Sequence, residues 1–566
     1  MAIVKPEVGA GKRALLDCAR MQNWEIAVAA DTIPSERYAA EEFQRLFKEA
    51  TGLNLPIRPF ETTAPHQVSI GAGSTAAADL GEEGFCIEIS ENRLAIAGGR
   101  PRGVLYGVYQ LLEDGLGLRF LSHDHIHIPD ASGTKIPCGT YTYIPTLSFR
   151  WSACRENSEY PEGATRLRIN TVTDEKRLGG RTGQELINHS FHRLLPFDDY
   201  GTDHPEYYAL VDGKRDTDRH GAGPQLCVTN PDVVEIVAAT ASKTLDENPQ
   251  QQNISISQAD TLRYCRCDTC EAVNQREKSP MGAQLEFVNA VAARIEGAHP
   301  HVKVGTLAYQ YTRRAPQTVR PRPNIQIQLC SIECCTLHPI DDQDCEKNRA
   351  FCRDMDAWGK ICNDIWIWNY DTNFSNYTLP FPNLRSIAPN VRYFVGNNAK
   401  GAFMQAAHNG LTGELSDLRN YIISRLLWEP GLDGEALCEE FIRLHYKEAA
   451  QPLLDYVEML HDNAESRGLH PTCFPSVEEV GLDPEITIKI QDYFTRALEL
   501  AGSDVVRSRI EKASICAYKA QICAGAPMEP AARASLIEHY IALCRRYGLT
   551  HGSEQRPAET YFAELE

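Results

Sequence analysis

Six apolar runs that read as strands end in residues able to handle a polyhydroxylated ligand. Asn253–Ser257 leads into Gln258, Ala259 and Asp260; Ile325–Cys330 into Ser331, Ile332 and Glu333; Asp364–Trp368 into Asn369, Tyr370 and Asp371. Val302–Ala308 leads into Tyr309, Gln310 and Tyr311, Gly401–Met404 into Gln405, and Leu186–His189 ends on His189 itself. Aromatic rings stack on the apolar faces of pyranoses, and amides and carboxylates hold hydroxyl groups. Paired carboxylates add the acid and base, or the charge stabiliser, that an oxocarbenium-like transition state requires. Any single strand-end carboxylate is more often a cap or an ion-pair partner, so it is the number of such ends that suggests a site. The candidate catalytic residues are Asp260 and Glu333. His189, Gln258, Tyr309, Gln310, Tyr311, Trp368, Asn369, Asp371 and Gln405 are the candidate ligand contacts, with no metal and no cofactor expected.

Strict alternation puts Ile325, Ile327 and Leu329 in the same parity as Glu333, so Glu333 reaches the mouth of a barrel only if the chain twists or bulges after the strand. Cys265, Cys267 and Cys270 form a C-x-C-x-x-C group just after Asp260, and Cys330, Cys334 and Cys335 flank Glu333. Zinc takes four ligands, commonly as two close pairs, and three thiols without a partner pair read as free cysteines packing a loop. His123, His125 and His127 would share one side of a strand, a solvated face in preference to a metal site. No phosphate-binding loop, dinucleotide fingerprint or nucleophile elbow occurs.

Asp260 and Glu333 can meet only if parallel strands carry them to one rim. Eight runs (Leu147–Ala153, Leu167–Val172, Leu186–His189, Asn253–Ser257, Val302–Ala308, Ile325–Cys330, Asp364–Trp368 and Gly401–Met404) predict a (β/α)8 barrel over 146–412, an α/β fold whose chemistry sits at the C-terminal strand ends. An open doubly wound sheet is the competing arrangement. An α/β accessory unit over 1–130 precedes it, with strands near 24–29, 68–70, 85–89 and 94–97, a helix capped by Ser35 and closed by Gly52, and a helix over 102–116. Residues 129–145 read as a linker. Over 413–566 strand patterns stop and six amphipathic segments, from Glu414–Leu427 to Pro530–Tyr547, predict a helical unit.

The 566 residues carry a net charge of −19 with no basic run, which argues against nucleic acid or anionic membrane as partners and leaves an oligosaccharide as the expected one. Hydrophobic residues at 43% predict a chain folded throughout. No signal-peptide core and no long apolar stretch is legible, and 19 scattered cysteines fit a reducing compartment, so a cytoplasmic location is expected unless a leader has been removed.

Four strings carry a resemblance: His204-Pro-Glu-Tyr-Tyr-Ala-Leu-Val-Asp-Gly-Lys-Arg215, Gln225-Leu-Cys-Val-Thr-Asn-Pro231, Ser255-Ile-Ser-Gln-Ala-Asp260 and Cys330-Ser-Ile-Glu-Cys-Cys335. With Trp366 to Asn373 and Phe381-Pro-Asn383, they resemble a bacterial family catalogued as domain of unknown function 4838 and associated with family 163 of the glycoside hydrolases. The front unit is similar to the accessory domain of α-glucuronidases and hexosaminidases. The resemblance implies a retaining endo-β-N-acetylglucosaminidase in which the substrate's 2-acetamido oxygen attacks the anomeric carbon. It assigns Asp260 to orient that group and Glu333 to act as general acid and then base. Met404 stands where an acidic residue is expected in relatives. An exo-acting hydrolase of uronic acids and a non-catalytic carbohydrate-binding protein are the rival readings.

Overall fold

The computed structural model describes residues 14–61, 66–72, 79–217 and 223–565. The amino-terminal stretch read for a leader lies outside these residues.

In the front unit, strands run in the order Gly139–Tyr143, Phe85–Ser90, Arg93–Gly98, Gln67–Ile70, Glu25–Val28, Ile57–Pro59. The helices Pro34–Thr51 and Gly103–Leu116 pack on each other and on this sheet. Gly52 closes the first helix at φ +78°, as its lack of a side chain permits. The start of that helix differs from expectation. Pro34 opens it, the Glu36 carboxylate accepts the Ile33 N–H, and Ser35 instead bonds the Pro101 carbonyl. The expected linker is also structured: Lys135–Pro137 pairs with Leu15–Asp17, and Gly139–Tyr143 becomes the edge strand of the sheet beside Phe85–Ser90.

The second sheet positions the site. We label its strands β1 (Phe149–Ala153), β2 (Asn253–Ser255), β3 (Lys303–Ala308), β4 (Ile325–Cys330), β5 (Ile365–Tyr370) and β6 (Ala399–Gln405). All neighbours are parallel, in the order β1-β6-β5-β4-β3-β2, so the first strand pairs with the last and the sheet curls. Alternation sorts the side chains. Ile325, Ile327, Leu329, Ile365, Ile367, Ala402 and Met404 enter the main core on the outer face, whereas Phe149, Leu307, Cys330, Trp366, Tyr370 and Phe403 form a separate inner core.

Two of the eight expected strands are not strands. Residues 167–172 and 186–189 run between β1 and β2 without entering the ladder. Side chains hold them instead. Asn170 accepts the Arg150 N–H at 3.0 Å, Asn253 accepts the Glu185 N–H at 2.6 Å, and Ser255 accepts the Asn188 N–H at 3.1 Å. Thr182 N–H to the Asn170 carbonyl and Gln252 N–H to the Gly183 carbonyl complete the circuit. The fold is therefore a mixed α/β structure with a curled six-stranded parallel sheet, not a regular eight-stranded barrel. Gly305 in β3 is what lets Ile187 sit inside, since a Cβ there would lie 2.3 Å from the Ile187 side chain.

Helices from Ser416–Trp428 to Pro530–Arg546 follow, near the predicted segments. The expectation of no further strands fails at the end, where His551–Ser553 pairs with Arg556–Pro557. Charged contacts join the regions below the sheet. Arg150 of β1 meets Glu83 of the front unit at 2.6 Å, Arg102 meets the same carboxylate at 2.7 Å, and Arg168 and Arg425 share Glu113 at 2.5 and 3.2 Å. Burial opposes ionisation of Glu83, but Arg150 and Arg102 outweigh it and hold its carboxyl below the usual range. Among the described residues, no helix is long and apolar enough to cross a membrane.

Candidate active site

Asp260 stands five residues past the end of β2, its side chain 52% exposed. The Tyr309 hydroxyl donates to Asp260 Oδ1 at 3.2 Å, and Gln310 Nε2 donates in turn to the Tyr309 oxygen at 3.0 Å. His189 Nδ1 bonds the Gln258 carbonyl at 2.7 Å, which fixes Nδ1 as the donor and turns Nε2 toward Asp260 Oδ1, 3.7 Å away. Gln225 braces the backbone on both sides of Asp260: its Nε2 donates to the carbonyls of Ala259 and Thr261 at 2.8 Å each, and its Oε1 accepts the Ala259 N–H.

Glu333 lies past β4, which ends at Cys330; a turn begins at Ile332, so strand parity no longer governs the side chain. It is 44% exposed and takes a 2.9 Å hydrogen bond on one oxygen from Arg313, which also bonds Asp354 at 2.7 Å. Glu333 lines one cavity with Gln310, the residue that bonds the Tyr309 hydroxyl. Burial raises the Tyr309 hydroxyl and the Cys330 thiol above their ordinary values, and both carboxylates push each of them further.

A third carboxylate, absent from the sequence reading, comes from the terminal hairpin. Glu554 Oε1 accepts a 3.3 Å hydrogen bond from Gln405 Nε2, and Gln405 Oε1 accepts the Trp368 indole N–H at 2.7 Å. Burial and then the Asp260 charge raise the Glu554 carboxyl, against the Gln405 hydrogen bond. The aromatic floor is made by Trp368, edge-on to Phe403 at 4.8 Å, with Trp151 edge-on to the same ring at 4.9 Å. These side chains can bind a pyranose face and present several carboxyl groups to it.

Other expected contacts lie elsewhere. Gln258 is fully buried and donates to Thr312 Oγ1 at 2.7 Å, so its carbonyl and not its amide serves the site. Tyr311 stacks on Tyr264 at 4.6 Å and lines a separate cavity with Phe191 and Gln225. Asn369 has the outward parity of Ile365 and Ile367; it accepts from Ser331 and donates to Asp371. Asp371 is itself 2% exposed, and burial raises it to about 7 against the Arg419 charge and the Asn369 hydrogen bond. Met404, with the same outward parity, is wholly buried.

The cysteines have neighbours that their spacing does not show. Cys227 joins Cys265, Cys267 and Cys270, and Cys335, His338, Cys345 and His470 form a second such group. Neither was visible as a motif because one member of each comes from a distant segment. His125 instead faces His445, Nδ1 to Nδ1, at 3.0 Å, and His123 stacks on Tyr160.

The curled parallel sheet thus carries carboxylates, amides and aromatic rings at its C-terminal rim, where α/β proteins built on parallel strands place their chemistry. Residues 120–458 match the family described as a domain of unknown function, DUF4838, and the chain belongs to that family. Residues 20–116 match domain 2 of glycosyl hydrolase family 20, which relates the chain to the glycoside hydrolases. No curated protein matches it significantly. Among solved structures, a family GH115 4-O-methyl-α-glucuronidase with specificity for decorated arabinogalactans is 10% identical, with TM-score 0.52, over 94% of this chain and 77% of its own. That likeness is one of fold. A chitobiase of Flavobacterium johnsoniae aligns at 12% identity and TM-score 0.45 over 100% of this chain and 99% of its own. A β-hexosaminidase of Streptomyces plicatus aligns at 13% identity and TM-score 0.43 over 80% and 93%.

Proposed function

We propose that the protein is a glycoside hydrolase acting on β-linked N-acetylglucosamine-containing oligosaccharides, with retention and with the substrate's acetamido oxygen as nucleophile. The observation that carries this reading is that Gln310, which donates to the Tyr309 hydroxyl holding Asp260, lines one cavity with Glu333. Asp260, held by the Tyr309 hydroxyl and facing His189, orients the acetamido group and stabilises the charge that develops on it. Glu333 protonates the leaving oxygen and then activates water, with Arg313 fixing its position. Trp368 takes the apolar face of the sugar, and Gln405, held between Trp368 and Glu554, takes a hydroxyl. The family 20 match over the front unit supports the amino-sugar preference.

A second assignment of the proton donor rests on Glu554, which Gln405 holds at the rim and whose carboxyl burial and the Asp260 charge raise above the ordinary glutamate value. Leaving-group dependence separates the two. Removing the true acid slows glycosides of poor leaving groups by about 10²–10⁴ and those of good leaving groups far less. The test is turnover of N-glycans and of a panel of aryl glycosides by the wild type, Asp260→Asn, Glu333→Gln and Glu554→Gln. Loss in Asp260→Asn on every substrate, with the leaving-group signature in Glu333→Gln, is the expected result. Absence of cleavage by the wild type on the whole panel, with binding unchanged in the variants, would make it a carbohydrate-binding protein.

A further inference from the structure

Two groups of sulfur and nitrogen ligands stand directly behind the carboxylate-bearing loops, and the chemistry above uses neither. In the first, Cys265, Cys267 and Cys270 follow Asp260, and Cys227 reaches them from the segment that carries Gln225. All four sulfurs lie within 4.8 Å of one another, and Cys227 Sγ is 3.7 Å from Cys267 Sγ. A disulfide needs about 2.05 Å. Four thiolates around one ion at metal–sulfur bonds of about 2.3 Å stand about 3.8 Å apart.

The surroundings are those of a coordinated thiolate. The Leu210 N–H points at Cys265 Sγ at 3.3 Å, and Thr229 Oγ1 lies 3.2 Å from Cys270 Sγ. Such donors orient metal ligands and offset their charge. Cys227, Cys265 and Cys270 are buried, and four protein ligands leave no position open for substrate.

The second group stands on its own geometry. Cys335 Sγ is 3.3 Å from His338 Nδ1, Cys345 Sγ is 3.2 Å from His470 Nδ1, and the four ligand atoms again lie within 4.8 Å of one another. The two imidazoles stack at 4.4 Å.

We propose that the chain binds two structural zinc ions, one held by Cys227, Cys265, Cys267 and Cys270 and one by Cys335, His338, Cys345 and His470. Tetrahedral S4 and S2N2 sets select zinc, and separations this short suit a single ion in each site instead of an iron–sulfur cluster. The first ion secures the far end of the loop that Gln225 braces at Asp260. The second ties the turn carrying Glu333 to the segment between two C-terminal helices, where Thr336 N–H also bonds the Pro471 carbonyl at 2.9 Å. These positioning roles rest on the proposed function; the presence of the metal does not.

The test is elemental analysis of the full-length protein, purified without chelators and exchanged into metal-free buffer. About two zinc ions per chain are expected, falling to about one in Cys227→Ser and to about one in Cys345→Ser. Cobalt-loaded protein is expected to show the thiolate charge-transfer and intense visible bands of tetrahedral sites, each variant losing its own share. Should the variants not fold, release of zinc from the wild type by a mercurial reagent gives the same count. Less than about a tenth of an ion per chain after exposure to zinc, with no cobalt bands and native thiols that react freely, would overturn the proposal. Because the readout is metal content, either reading can fail without the other.

Discussion

Gln405 Nε2 donates to Glu554 Oε1 at 3.3 Å, which places a residue from the last hairpin of the chain at the rim of a sheet whose strands all end by Gln405. The Glu554 carboxyl is raised by burial first and by the Asp260 charge second. A glutamate so raised keeps its O–H donor to higher pH than an ordinary glutamate and loses it as pH climbs further. Glutamine keeps an N–H donor at every pH. Glu554→Gln should therefore hold its kcat/KM to higher pH than the wild type, read from profiles over about pH 5 to 9. Identical alkaline limbs would show that Glu554 does not titrate in the catalytic cycle.

Asp371 gives a prediction about stability. Its folded pKa of about 7 lies above the ordinary aspartate value, with burial as the main cause. The folded state then binds a proton that the unfolded state releases, so stability falls as pH rises from about 4 to about 7 and levels off above. Asp371→Asn removes the ionisable group while keeping an acceptor for Asn369. Its Tm relative to wild type should rise between about pH 5 and 8, corresponding to up to a few kcal/mol. A difference independent of pH would refute the assignment.

Glu83 serves two buried arginines, Arg150 and Arg102. Glu83→Gln leaves buried positive charge without its counter-ion, and a loss of about 3–5 kcal/mol is expected in urea unfolding. Glu485→Gln, which opens the exposed pair with Lys489, should produce no measurable change. Equal effects would mean that the contacts below the sheet are no more than surface pairing.

Gly305 tests how the inner core sets the site. Gly305→Val would press on Ile187, two residues before His189, and should cost about 1–3 kcal/mol together with a larger fractional loss of kcat than of stability. Gly359→Ala, where an added Cβ meets nothing within 4 Å, is the control and should leave both unchanged.

Much of this arrangement is legible in sequence because it is written in local periodicity. β3 to β6 combine alternation with strand length, and the long C-terminal helices show apolar stripes closed by Gly or Pro. The failures share a physical cause. Residues 167–172 and 186–189 show strand-like patterns, but Leu167 ends a helical turn and Arg168 is left-handed at φ +61°, and Asn253 and Ser255 side chains take the Glu185 and Asn188 N–H groups, a non-local arrangement that composition does not reveal. Asn369 and Tyr311 follow strand ends in the sequence, whereas alternation in one case and stacking on Tyr264 in the other turn them away. Cys227, His470 and Glu554 are brought in by tertiary folding from far along the chain. The one available clue was the surplus of cysteines around Asp260 and Glu333.

The segments bridging β1 and β2 are fastened by individual asparagine and serine side chains. A strand in a ladder shifts only in register, moving every side chain to the opposite face, but a segment pinned at a few points can be re-seated by changing one pin. The edge next to His189 is thus the part of this scaffold that one substitution can re-seat, whereas Trp368 and Gln405 move only with the strands that carry them.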